Sequence, residues 1–376
     1  MQFLADGNAA TWEAPAQTCG AIALARFRED NRLVQAWQSL EDSAFLPTQI
    51  FAFSLALGCT LLSDACIEVF HVTGAATITA LLPLCRDKTF FSRWRLIGAR
   101  EVFEPGDALC ESPESMRALA QTLARQSRPL DLDRVPASSP LLPALKTAMK
   151  GKGWVSIRPA VPFPTVTLDE CWKNPESCFN SGRRSDFRRA ARRAAEFGVV
   201  SCEVLSPRPE EFDALFYEAI GVELCSWKRE AGTAIAVDRG KEAFFRDFFR
   251  TCCERGQFRI AFMRIDGQAV AMQMAVEFSD RYWLFRIGYD ETFGKCSPGT
   301  LLMLHTLGWA AQQGLRAYEL LGDAEAWIAD FWTREQHGCV RLRTYPFGLR
   351  GAVAFAVDAG VWLRQRLVRG QVRAVA

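Results

Sequence analysis

Histidine is scarce in this chain. Three imidazoles, His71, His305 and His337, occur in 376 residues. Zinc sites draw on Cys and His at short, fixed spacings, and none of the thirteen cysteines forms a Cys-x-x-Cys pair. Cys252 and Cys253 are adjacent, a poor geometry for sharing one tetrahedral ion. No metal centre is therefore expected, and the thiols are expected to be buried and reduced. The start, Met1-Gln2-Phe3-Leu4-Ala5-Asp6, lacks the basic and then apolar pattern of an export signal. The best candidate for a membrane span, residues 50–70, is broken by Ser54, Ser63, Asp64 and Glu68. A span needs about 20 mostly apolar residues, so this stretch reads as core. Neither sign of charge is in excess: 45 Lys and Arg oppose 43 Asp and Glu, so no global field argues for nucleic acid. These absences suggest a cytoplasmic globular protein, with peripheral contact to the inner face of a membrane as an option.

Apolar residues make up 49% of the chain, enough for a full core, and its length suggests two domains. Residues 281–345 organise the rest. Residues 282–287 form an aromatic, apolar strand, and Gly288 at its end permits a bulge or a close backbone approach. Ser297-Pro298-Gly299 then opens a helix over 300–313, stopped by Gly314. A second strand, 316–321, runs into Gly322-Asp323-Ala324-Glu325. A helix start of this kind is an anion site, because its first N–H groups lack partners and the helix dipole adds positive charge. Ser297 or Thr300 can cap it, and Lys295 adds a charge. The Gly-x-Gly-x-x-Gly fingerprint and the phosphate loop ending in Gly-Lys-Ser/Thr are both absent. An ordinary β–α–β crossover with a tight loop is the plain alternative.

Elsewhere, residues 1–45 look irregular apart from a short strand at 21–25, and 48–62 reads as a helix with Ile50, Phe53, Leu57 and Leu61 on one face. Strands at 66–72 and 77–82 flank a hairpin turn, a helix covers 115–126, and 131–133 is a short strand. Gly151, Gly153, Pro159, Pro162 and Pro164 mark a loop-rich crossing, placing a boundary near residue 153. Residues 181–198 form a helix with Arg184, Arg188 and Arg192 on one stripe and Arg189 and Arg193 on the next. Phe187, Ala190, Ala191, Ala194 and Phe197 lie opposite. Guanidinium forks suit phosphate, so Arg184, Arg188 and Arg192 are candidates to meet an anionic membrane, an acyl-carrier protein or a tRNA backbone, unless the face is merely solvated. The last stretch, 350–376, is a basic helix and tail carrying Val353, Val357, Val361 and Trp362. It is either a membrane-surface element or a helix docked on the core.

The Ser-Pro-Gly loop, the helix, Gly-Leu and the strand ending Leu-Leu-Gly-Asp-x-Glu resemble the GNAT acyltransferase superfamily, in its branch of CelD-like and FemAB-like proteins. Ser226-Trp227-Lys228, Phe244-Phe245 with Phe248-Phe249, and Ile265-Asp266-Gly267 are similar as well. The resemblance implies an α/β fold with a mixed sheet, built as two GNAT-like domains in tandem over 1–153 and 154–349, the second carrying the donor site, although the first half could equally be an unrelated α/β cap. It implies an N-acyltransferase that moves an acyl group from acyl-CoA or acyl-carrier protein to a primary amine, with amino sugars of surface polysaccharide as the suggested acceptors; lipid synthesis, with a long-chain amine such as a sphingoid base as acceptor, is the alternative. Aminoacyl transfer from tRNA and a non-catalytic role in an assembly system are the alternatives.

For acyl transfer, the donor carbonyl would sit on a backbone N–H at Ile287 or Gly288. Phosphates would sit on Lys295, Ser297, Gly299, Thr300 and Leu301. Glu325, Asp323 and His337 are the candidate bases, with Glu325 first for its reach. Trp227, Lys228 and Trp327 would line the acceptor side. Where the family commonly has Tyr-Lys, this chain has Trp327-Ile328. A tryptophan cannot protonate a leaving thiolate, so Tyr289, Tyr318 or solvent would have to, and the acceptor pocket leans apolar.

Overall fold

The computed structural model describes residues 18–74, 77–228, 230, 232–322 and 326–375, with backbone only at 326, 327 and 367–375. The first half runs β1 (Thr18–Ala23), α1 (Leu24–Phe27), α2 (Asn31–Leu40), α3 (Phe51–Cys59), β2 (Cys66–Thr73), β3 (Ile78–Arg86), β4 (Trp94–Leu96) and β5 (Leu109–Cys110). It continues through α4 (Pro113–Ala124), β6 (Leu130–Pro136), α5 (Leu141–Ala148) and β7 (Gly153–Thr167). The second half holds α6 (Ser181–Phe197), β8 (Val200–Leu205), α7 (Phe212–Leu224), α8 (Arg239–Glu254), β9 (Phe258–Ile265), β10 (Gln268–Phe278) and β11 (Arg281–Tyr289). It closes with α9 (Pro298–Gln312), β12 (Ala317–Leu320), α10 (Ala326–Phe331), β13 (Gln336–Pro346) and α11 (Leu349–Val375).

One mixed sheet carries all of these strands in the order β1-β2-β3-β4-β6-β13-β7-β12-β11-β10-β9-β8, with β5 beside β3. The order reads as two matching halves back to back. Each half is a run of antiparallel strands that ends in one parallel pair, β4 with β6 and β11 with β12. At the centre the halves exchange strands: β13 lies between β6 and β7, and β7 lies between β13 and β12. The two-fold repetition absent from the residues is thus present in the topology.

The halves also share a core. Phe53 of α3 packs edge-on against Phe244 and Phe248 of α8, with ring centroids 5.4 and 5.3 Å apart. On the other face of the second half, α9 covers Tyr282, Leu284 and Tyr318 with Met303, Leu304 and Leu307. Burying a large apolar side chain contributes about 1.5–3 kcal/mol, so the Phe-rich layer between α3 and α8 is a main source of cohesion.

Several expectations need correction. The segment expected to be irregular contains α2, capped by Asp30, whose carboxylate accepts from the Arg32 amide at 2.9 Å. It is anchored by fully buried Trp37, which donates to the Gln49 carbonyl at 3.0 Å. The proline-marked crossing is β7 itself. Pro159 and Pro164 are tolerated because over most of its length β7 pairs only with β13, meeting β12 at Thr165–Thr167 alone, and that ladder is irregular between His337 and Cys339. The thirteen cysteines carry no disulfide.

Candidate active site

β11 and β12 pair in parallel from Arg281 opposite Ala317 to Leu284 opposite Leu320, and no further. β11 runs on to Tyr289, so a gap opens between the strand ends. The expected bulge lies two to three residues earlier than Ile287–Gly288. Leu284 faces Ala275 and Arg286 faces Met274, which makes Phe285 the extra residue. The bulge turns Phe285 and Arg286 to the same side, towards α8, where the Arg286 guanidinium lies 5.3 Å from the Phe245 ring.

Past the bulge, the Asp290 amide donates to Val270 O at 2.8 Å. Antiparallel partners alternate between bonded and unbonded pairs, so Gly288 bonds to Met272 while the N–H and C=O of Ile287 turn away from β10 into the gap. Lys228 agrees: its ammonium donates to Ile287 O at 2.5 Å. Gly288 is the close approach that the sequence suggests. A Cβ there would stand 3.1 Å from Glu223 Cα, at the end of α7.

At the start of α9, Ser297 adopts φ 49°, ψ 57° and gives no side-chain cap, nor does Thr300. The amides of Thr300 and Leu301 turn back onto Ser297 O at 3.0 and 3.2 Å. Pro298 has no N–H, which leaves the Gly299 amide as the donor of this turn without an acceptor among the described residues. The Tyr289 ring lies over the same turn, 3.4 Å from where a Gly299 Cβ would be. Arg193 donates to Lys295 O at 3.3 Å and ties the arginine-rich α6 to this loop. Phe187, Ala190 and Ala194 are the buried face of α6, whereas Ala191 and Phe197 are exposed. Arg188 lies 3.9 Å from Glu176, and Arg184 and Arg192 have no ion pair among the described residues.

Beneath the gap lies a polar cluster that the sequence did not announce. Glu223 is fully buried and accepts from Arg286 at 2.6 Å, from Lys228 at 3.4 Å and from the Ile235 amide at 2.8 Å. The available signal was one acid on an apolar stripe, since Phe212, Phe216, Ala219, Ile220 and Glu223 are all buried in α7. Lys228 is therefore already engaged with a carboxylate and a strand carbonyl, while Trp227 is 44% exposed.

The first half contributes Glu104 and Arg134. Arg134 sits at φ 56°, is 1% exposed, and donates to Phe103 O and, at 2.7 Å, to Gly322 O just past β12. Burial pushes the Glu104 carboxyl up to about 8, against the pull of Arg134 and Arg286. Glu104 Oε2, Arg134 Nε and Arg286 Nε are all buried without a hydrogen-bond partner among the described residues. Such groups carry a desolvation cost, and here they converge from both halves on the ends of β11 and β12.

His337 lies on strand β13, not in a turn. Its Nε2 is 3.1 Å from Glu319, a buried carboxylate that also binds Arg281. Phe163 and Phe45 flank its ring at 4.7 and 5.4 Å. Because Arg281 begins β11, this cluster lies towards the closed end of the strand pair. Tyr318 is also buried, with its hydroxyl between Gln273 and Thr306 at 2.9 and 3.0 Å. Asp323 and Glu325, and the side chain of Trp327, lie outside the described residues. No group of Cys, His, Asp or Glu able to hold a metal occurs among the described residues, and no described helix is long and apolar enough to cross a membrane.

A family profile for GNAT acetyltransferase domains matches residues 181–328. No curated protein matches the sequence. Among solved structures, FemX superposes with a TM-score of 0.57 at 10% identity, over 86% of this chain and 98% of its own. The DUF2156 C-terminal domain of a candidate lysylphosphatidylglycerol synthetase from Agrobacterium fabrum gives 0.52 at 12% identity, over 87% and 95%. A conserved protein of Bacteroides thetaiotaomicron gives 0.53 at 9%, over 83% and 97%. With its parted parallel strands and the helix that starts beside them, the stretch 181–328 matches the GNAT acetyltransferase domain model, and the chain has a GNAT-superfamily, FemAB-like fold.

Proposed function

We propose that the protein is an N-acyltransferase that moves an acyl group from acyl-CoA to a primary amine, with an acyl-carrier protein as the alternative donor. The observation that carries this reading is the gap between β11 and β12, with the Ile287 peptide turned into it and the open Gly299 amide at its mouth. The thioester carbonyl would accept from Ile287 N–H, and donor phosphate would meet Gly299 N–H, Lys295 and the arginine face of α6. The amine nitrogen attacks the thioester carbon, the C–S bond breaks, and the thiolate takes a proton from Tyr289 or solvent. The amine's own proton passes to a carboxylate. We favour Glu104, which is under the pull of both Arg134 and Arg286; Glu325 and then Asp323, a few residues after β12 in sequence, are the alternative. The acceptor class we favour is a lipid-like amine such as a sphingoid base, because Trp327 replaces a phenol, ahead of an amino sugar of surface polysaccharide.

Acyl-CoA is expected to raise the melting temperature, since a ligand that binds only the folded state stabilises it by mass action. Gly299→Pro should abolish that shift by removing the amide donor while keeping a residue suited to a first helical turn. No shift with any acyl-CoA, together with a clear one from aminoacyl-tRNA, would replace this reading with aminoacyl transfer.

Replacing Arg184, Arg188 and Arg192 together with glutamine is expected to raise KM for the donor and leave kcat nearly unchanged. The same weakening should follow from added salt in the parent protein, because exposed charges are screened within about 10 Å at 0.1 M. An unchanged KM would leave this helix face as solvated surface.

A further inference from the structure

α11 leaves the body of the protein after Asp358. Up to that point it is held: Asp358 accepts from Arg93 at 2.7 Å and Tyr345 at 2.8 Å, and Arg343 lies 3.1 Å away. From Gly360 to Arg366 every residue is exposed. The backbone stays helical to Val375, so roughly 25 Å of helix extends past the anchor at about 1.5 Å per residue. Around its root stands an apolar surface. Trp154 and Phe347 are 59% and 62% exposed, with ring centroids 5.7 Å apart, and Phe355 lies 5.4 Å from Trp154. On the other side, Phe90 and Phe91 are half exposed, and Arg350 covers Phe90 at 4.3 Å.

The charge here is one-sided, although the whole chain is nearly neutral. The segments that meet at this root, 86–93, 125–128, 150–154 and 347–366, carry ten Lys and Arg against two Asp. Both acids are occupied, Asp87 by Arg95 and Asp358 by Arg93 and Arg343. Protruding aromatics among uncompensated cations, continued by an amphipathic helix with Trp362 and Arg366, match the chemistry of a membrane interface. A second copy meeting this surface face to face would set the same cations against each other with no free carboxylate between them.

We infer that the α11 root and its projecting end form a docking surface for an anionic lipid bilayer. The aromatics would enter the headgroup region, and Arg350, Arg364 and Arg366 would meet lipid phosphates. This assignment is independent of the acyl-transfer reading, because the surface shares no residue with the gap between β11 and β12.

The full-length protein is expected to float with phosphatidylcholine vesicles that contain phosphatidylglycerol, and not with phosphatidylcholine alone. Binding should fall with salt and shift tryptophan emission to the blue. Each cation near an anionic surface contributes about 1 kcal/mol, so the double variant R364E and R366E should bind at least about tenfold more weakly. Its melting temperature should be unchanged, since both side chains stand clear of the body. Trp362→Ser should weaken binding as well, whereas R184Q, R188Q and R192Q together should not. Equal affinity for both vesicle types, no binding at low salt, or loss only in the α6 variant would overturn the assignment. So would a dimer in sedimentation equilibrium that Val357→Asp abolishes.

Discussion

Glu104→Gln is expected to slow acyl transfer by about 10²–10⁴-fold, the usual range for loss of a general base, and at the same time to stabilise the protein at neutral pH. The pairing of these effects identifies the role. Glu104 is 5% exposed, and burial raises its carboxyl from an ordinary 4.5 to about 8. Between those values the native state holds a proton that the unfolded chain has released. The contribution of this group to stability is therefore highest below about pH 4.5, falls by up to about 1.4 kcal/mol per pH unit as pH rises towards 8, and then levels off. Glutamine removes that slope. In the parent, the rate should climb with an apparent pKa near 8 as the carboxylate forms, and this rise should vanish in the variant. Urea titrations at several pH values and a pH–rate profile read both quantities. A variant that is inactive and also destabilised at pH 8 would mark Glu104 as structural. If Glu325→Gln loses activity while Glu104→Gln keeps it, the base is Glu325.

Glu223→Gln is expected to cost about 3–5 kcal/mol, the typical penalty for removing one partner of a buried charge cluster. The amide removes the carboxylate that Arg286 and Lys228 share, in a site where their side chains are only 19% and 13% exposed. A lower urea midpoint with an unchanged slope would show this as loss of native stability. Adding Arg286→Met to the same protein should recover part of the loss, because one stranded cation goes with it. Lys228 orients the Ile287 carbonyl through the same cluster, so the single variant should also bind acyl-CoA less well. A loss below about 1 kcal/mol would mean that water reaches the cluster and screens it.

The β11–α9–β12 unit was legible because its signals are local. An aromatic strand, a Pro-Gly helix start and a glycine stop at Gly314, with φ 78°, lie within forty residues. The α6 stripe was equally plain. The placement of the bulge was not, since the extra residue is defined by the partner strand and β11 alone cannot show it. In sequence β7 resembles a loop because proline excludes a central strand, and what permits it is the pairing partner, β13, which begins more than 160 residues after β7 does. Glu104 has no periodic setting at all. Its neighbours Pro105 and Gly106 mark a turn, and only the folded chain brings it towards Arg286, 182 residues on. The donor side of the proposed site is thus written in one segment, while the polar groups facing it are assembled from distant ones.

The exchange of β7 and β13 has a consequence for how the chain comes to be folded. During synthesis the first half emerges complete except for β13, which separates β6 from β7 and is the last described strand in chain order. Until then β6 presents an unpaired edge, the kind of surface that recruits other strands. Sheets closed by such remote pairings form slowly, because the loop must be ordered before the contact rewards it. Ribosome-bound chains that stop before residue 336 should therefore stay protease-sensitive and dependent on chaperones, and the two halves expressed as separate polypeptides should be soluble only together.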